Sequence, residues 1–179
     1  MASVSSFLER KLRLRVNREK SAVAPVWERK FLGHRLLPGG RLGLAPESLK
    51  RVKARIRLIT RRSRGVSLEG MVHELNSFLT GWVTYFRYAE CRTHLGRLDG
   101  WIRRKLRCVR LKQRKRSKAI ADFLRGLGVP EWRAWLLAGS GKGWWRLAGS
   151  PQAAEAMSLA WFREQGLVAL TERYNLLNQ

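Results

Sequence analysis

The sequence predicts a mainly α protein: a three-helix bundle, preceded by a short helix and a small antiparallel β ribbon, and followed by a small helical tail. Three observations predict it. Apolar residues recur at helical spacing from Pro46 onward. Period-two alternation occurs only before residue 45. Gly, Ser and Pro clusters near 65–67, 126–130, 139–143 and 150–151 cut the remainder into helix-sized pieces. At 179 residues with 45% hydrophobic content and eight Trp, the chain can bury a real core. The expected divisions are 1–45, 46–118 and 119–179.

Residues 6–12 read as a short helix, and Leu12, Leu14 and Val16 then alternate with Arg13 and Arg15 as a half-buried strand would. The Phe31–Gly33 and Leu36–Leu37 runs, with the Pro38-Gly39-Gly40 turn, suggest a ribbon. From Pro46, the stripe Leu49, Val52, Ile56 and Ile59 marks a first bundle helix, stopped by Gly65. Ser67 suits the N-cap of a second helix reaching about residue 88, with Leu68, Met71, Leu75, Phe78, Leu79, Trp82, Tyr85 and Phe86 on its apolar face. Gly81 within it suggests a close helix–helix approach. A third helix near 94–112 turns Leu95, Leu98, Trp101, Ile102, Leu106 and Val109 inward. Trp82, Phe86 and Trp101 are expected in the core. The tail holds a short helix to Leu124, another opened by Pro130, one helix from Ser150–Pro151 to Glu164 ended by Gly166, and a last one to Leu177.

Charge is the extreme feature: 37 Lys+Arg face 13 Asp+Glu, a formal net charge of +24. Such self-repulsion calls for a polyanionic partner, nucleic acid first and an anionic membrane face second. Arg outnumbers Lys 27 to 10, which favours bidentate phosphate contacts and base stacking, although a GC-rich genome produces the same bias. No apolar run is long enough to span a bilayer. Two cysteines cannot form a disulfide framework, so a reducing, cytoplasmic setting is expected. Glu9 and Glu19 in the Arg- and Ser-rich start argue against a cleaved transit peptide.

Motifs for independent catalysis are missing. Gly139-Ser140-Gly141-Lys142-Gly143 lacks the hydroxyl that a phosphate loop needs after its Lys, and reads as a linker. Cys91, His94, Cys108 and His73 match no zinc-module spacing. No paired carboxylates stand ready for two-metal chemistry, and no nucleophile motif occurs. No catalytic residue, metal or cofactor is therefore expected.

What remains is cations interleaved with aromatics, the pattern that meets phosphates and stacks on bases. One run carries Lys50, Arg51, Lys53, Arg55, Arg57, Arg61, Arg62 and Arg64 without an acid. Arg87 follows Phe86. A second run carries Arg103, Arg104, Arg107, Arg110, Lys112, Arg114, Lys115, Arg116 and Lys118, with Asp99 the one acid between 97 and 118. Solvated faces normally mix signs. These residues are the expected nucleic-acid contacts.

The residues Leu75-Asn76, Gly81-Trp82, Tyr85-Phe86 and Trp101-Ile102-Arg103-Arg104, with the turn Arg62–Gly65, resemble the maturase-specific (thumb or X) region of group II intron reverse transcriptases. Trp144-Trp145-Arg146-Leu147 and Gly149-Ser150-Pro151 are similar to that family's tail. Residues 7–21 look like the end of the polymerase palm, with Lys20, and Phe31-Leu32-Gly33 resembles the hairpin that grips the primer. The Tyr-x-Asp-Asp segment that carries the metal-binding aspartates is absent from this sequence, as are the fingers, most of the palm and the nuclease domain. The resemblance thus implies a thumb-like bundle that binds group II intron RNA or a template–primer RNA/DNA duplex. It implies polymerase activity only alongside a separate palm chain. A decayed remnant with non-specific polyanion affinity is the remaining alternative.

Overall fold

The computed structural model describes residues 2–17, 19, 24, 25 and 29–179. Among them lie ten α-helices and one three-stranded antiparallel sheet. The protein is mainly α.

Helix α1 (Ala2–Arg10) starts the chain. The strand expected over 12–16 does not form. Leu14 N–H donates to Leu8 O at 3.0 Å and Arg13 takes φ 52°, so the backbone turns off the helix end instead of extending. Alternation says which face a strand would bury, but it does not supply the neighbouring ladder that a strand requires.

The ribbon is present and has three strands, β1 (Lys30–Phe31), β2 (His34–Leu36) and β3 (Leu42–Leu44), in that spatial order. Phe31 lies opposite His34 and His34 opposite Leu44. The two-residue turn Leu32-Gly33 has φ 50° and 79°, the left-handed pair that matches strand twist in a tight hairpin. Leucine rarely adopts that conformation, and this turn is held by hydrogen bonds. Tyr85 Oη donates to Leu32 O at 2.9 Å, while Ser48 Oγ and Ala45 N donate to Gly33 O at 2.9 and 3.1 Å. A Cβ at Gly33 would stand 2.7 Å from Ser48 Oγ, so both space and φ require glycine there.

Helix α2 (Pro46–Ile59) buries Val52, Ile56 and Ile59. It ends well before Gly65, because two side chains take its last carbonyls. Thr60 Oγ1 donates to Ile56 O and the Arg64 guanidinium to Ile59 O, both at 2.7 Å. Ser67 then caps α3 (Leu68–Tyr85) by accepting from Gly70 N at 3.1 Å. Leu75 is completely buried and Phe86 nearly so, but Trp82 and Trp101 are only half-buried and Tyr85 is exposed. Gly81 corrects another expectation. It faces outward, with nothing within 4 Å of where a Cβ would sit, so no helix packs closely there.

Helix α4 (Arg92–Arg114) buries Leu95, Leu98, Ile102, Leu106 and Val109. Beyond it come α5 (Ser117–Gly126), α6 (Glu131–Ala138), α7 (Trp144–Leu147), α8 (Pro151–Ala156), α9 (Leu159–Glu164) and α10 (Leu170–Leu177). The single helix expected over 151–164 is two. Met157 leaves helical geometry at ψ 66°, where its carbonyl accepts both Arg107 Nε (3.0 Å) and Arg107 Nη2 (2.8 Å). Ser158 restarts the chain as N-cap of α9.

Buried residues from β3 through α10 form one continuous apolar cluster. Polar side chains of α3 and α4 fasten the C-terminal helices to it. Asn76 Nδ2 donates to Gly166 O at 2.7 Å, and its Oδ1 accepts from Val168 N at 3.0 Å. The buried Asp99 carboxylate accepts from Leu170 N (2.9 Å), Thr171 N (3.1 Å) and Thr171 Oγ1 (2.8 Å). Asp99 thus caps α10 from another helix and places a negative charge at its N-terminus. Replacing Asp99 with Ala should lower stability by about 1–2 kcal/mol, and Asn should retain part of it; urea unfolding of the two variants measures the difference.

Candidate nucleic-acid interface

Helix α2 turns Val52, Ile56 and Ile59 inward, which leaves Lys53 and Arg57 on its flank beside α4. On α4, Arg97, Trp101 and Lys105 recur every fourth residue and share one face. The two faces enclose a groove of about 310 Å³ lined by Leu49, Lys53, Arg57, His94, Arg97, Leu98 and Trp101. No acid lines it.

The cation–aromatic arrangement continues along α4. The Arg57 guanidinium lies 5.5 Å from the Trp101 ring centre, and Lys105 Nζ lies 5.2 Å from Trp101 and 5.9 Å from Trp145. Arg104 stacks over Trp145 at 4.3 Å. Arg62 Nη1 reaches Cys108 Sγ at 3.6 Å. Burial, aided by Arg57 and Arg62, pushes the Lys105 pKa down, with Cys108 acting the other way. A crowded ammonium of this kind gains from any anion that approaches, since the anion offsets both the burial and the like charges.

A second groove, of about 570 Å³, opens beside the hairpin between α2 and α3. Leu32, Arg51, Arg55, Phe78, Trp82 and Tyr85 line it. Phe31 and Leu32 stand exposed at the hairpin tip, and Arg51 Nη2 donates to Ser48 Oγ at 3.3 Å.

The expected contact residues fall into three groups. Lys50, Arg51, Arg55, Arg57, Arg61, Arg62, Lys112, Lys115, Arg116 and Lys118 are exposed, and Lys53 and Arg103 are half-buried. Arg64 is exposed but engaged: besides capping α2 it pairs with Glu74 at 2.8 Å, which raises the arginine's pKa as Arg64 lowers that of Glu74. Arg87 lies over the Tyr88 ring at 4.5 Å. The third group faces into the fold. Arg104 donates to Trp145 O at 3.0 and 3.3 Å, and Arg107 holds Met157 O. Arg110 and Arg114 lie over Phe123 at 5.3 and 4.5 Å, and burial lowers the pKa of Arg107 and Arg110. Lys20 lies outside the described residues. Arg97 and Lys105, which the expected set omits, line the groove or its extension; their spacing about Trp101 was the available signal.

Cys91 and Cys108 are both buried free thiols. Among the described residues no three His, Cys, Asp or Glu side chains converge as a metal site, and no helix is long and apolar enough to cross a membrane.

Fold and surface together define a mainly α protein with an acid-free groove between two basic helices. Residues 49–126 match the family model of the group II intron, maturase-specific domain. The matched stretch, under half of the chain, is similar to that domain and points to a function related to that of group II intron maturases. The match covers most of α2, all of α3 and α4, and ends with α5. No curated protein matches the chain.

Two outcomes follow from this geometry. Arg107→Lys keeps the charge but loses the fork on Met157 O, so denaturant unfolding should show a loss of about 2 kcal/mol. Burial pushes the Cys91 thiol up to about 11, so thiol reagents at pH 8 should modify Cys91 only after unfolding.

Proposed function

We propose that the chain is an RNA-binding maturase fragment that docks α2 and α4 on folded group II intron RNA, or on a template–primer duplex, and thereby assists splicing. The acid-free groove of Lys53, Arg57, Arg97 and Trp101 supports this reading most directly. A-form RNA hides its base edges in a deep groove, so recognition runs through backbone shape and sugar-phosphate contacts. Exposed guanidinium groups on a rigid helix suit that task, and each neutralised phosphate adds salt dependence. Nothing in the chain's own residues is assigned to bond making or breaking.

The test uses Arg57, Arg61 and Arg62 replaced together with Ala; Arg64 is spared because it terminates α2. RNA affinity should fall, and the slope of log K against log salt should become shallower by about two to three. Helical circular dichroism should not change. An unaltered slope removes this surface from the interface, and equal binding of intron and unrelated RNA reduces the role to general charge attraction.

One observation favours a second reading, in which the chain supplies the thumb of a split reverse transcriptase. Val4, Phe7, Leu12, Leu14, Phe31 and Leu32 all expose apolar surface in the N-terminal part, a concentration that suits a protein neighbour such as a palm chain. Primer extension that occurs only when the chain is mixed with a separate palm chain would establish it.

A further inference from the structure

Helix α6 carries an aromatic stripe on its solvent side. Trp132 is 70% exposed, Trp135 42% and Leu136 63%, and positions 132, 135 and 136 share one helical face. Exposed tryptophans at this density are unusual, because each leaves a large apolar ring in water. Beside Trp135 and Leu136, though not Trp132, lies a cavity of about 780 Å³, walled also by Ser140 and Lys142 of the glycine-rich loop, by Arg146 of α7 and by Gln152 of α8. No acid lines it. Among the described residues, neither Lys142 nor Arg146 forms an ion pair.

We propose that this cavity and the Trp132–Trp135 stripe hold an unpaired stretch of nucleic acid, with a base against Trp135 and its phosphates on Lys142 and Arg146. The inference rests on the reading of the chain as an RNA-binding protein and adds a ligand class to it, single-stranded rather than duplex. Three observations carry it. The wall combines an apolar ring with cations and neutral hydrogen-bonding groups, the set that a nucleotide's base, phosphate and sugar require. A duplex, by contrast, presents its phosphates on a convex surface and its bases already stacked, and cannot put a base into a recess. The loop also meets this use better than it meets nucleotide hydrolysis. Gly143 follows Lys142 where a magnesium-binding hydroxyl would be needed, so Lys142 acts as a point charge for a phosphate. Trp132, one turn before Trp135, offers a second platform for the adjacent base. RNA and DNA share this chemistry, so both are tried.

Fluorescence anisotropy would follow three labelled probes with the full chain: a short oligoadenylate RNA, the same sequence in DNA, and an RNA hairpin without single-stranded ends. Trp135→Leu keeps apolar bulk and removes the aromatic face; it should weaken both single-stranded probes about tenfold and leave the hairpin unchanged. Trp135→Phe should restore most of the affinity. Lys142→Ala with Arg146→Ala should weaken the single strands and flatten their salt dependence. Unequal losses for RNA and DNA identify which strand the site takes. Unchanged single-strand binding in Trp135→Leu overturns the proposal, as does an equal loss for the hairpin with the circular dichroism intact. Unchanged oligonucleotide binding accompanied by loss of self-association would reassign the stripe to protein contact. Should Trp135→Leu fail to fold, the phenylalanine variant and the double alanine variant decide. Failure of the wild-type chain to bind the hairpin while it binds oligoadenylate would sink the α2–α4 reading and leave this one standing.

Discussion

The arrangement of this protein depends on side chains of α3 and α4 bonding to the backbone of the C-terminal helices. Asp99, Arg104, Arg107 and Asn76 reach main-chain groups between 41 and 92 residues further along the chain. Helices α7, α8 and α9 have only four to six residues and are too short to hold themselves together by local hydrogen bonding. Their positions are set by tertiary anchors. Met157 shows the consequence: its carbonyl takes two bonds from one guanidinium, and the helix breaks there.

These anchors also decide how the charge is divided. An arginine whose donors are spent on a carbonyl, or whose plane lies on an aromatic ring, contributes positive potential but few free hydrogen bonds. Arg104 and Arg107 therefore shape the interface from within. Arg57, Arg61 and Arg62 stay exposed, although Arg57 neighbours the Trp101 ring and Arg62 reaches Cys108 Sγ. Trp145 belongs to both roles, since Arg104 covers its ring and holds its carbonyl while Lys105 approaches the same ring. Gly149 is part of that packing: a Cβ there would come within 2.5 Å of the Arg104 guanidinium.

Much of the candidate interface was legible in the chain. The acid-free run from Lys50 to Arg64 lies mostly exposed, as its composition suggested. The basic run on α4 was less readable, because a helix of 23 residues surrounded by other helices has several buried faces and periodicity identifies only the strongest. Arg107, Arg110 and Arg114 were expected among the nucleic-acid contacts and are half-buried instead. Asp99 looked like a stray acid in a basic run. It is a cap for a helix 71 residues away, which no local pattern reveals. Asn76 is similar, its value resting on a turn at residues 166–168 that nothing near position 76 announces.

The sequence alone determined the helical class, the caps at Ser67 and Ser150 and the stop at Gly166, because each follows from short-range backbone chemistry. Tertiary structure decided where α2 ends, whether residues 12–16 pair as a strand, that residues 151–164 form two helices, and which cations stay free. Those outcomes hinge on partners distant in the chain: a carbonyl offered to Arg64 or Arg107, or a neighbouring strand withheld. Local periodicity carries no information about either.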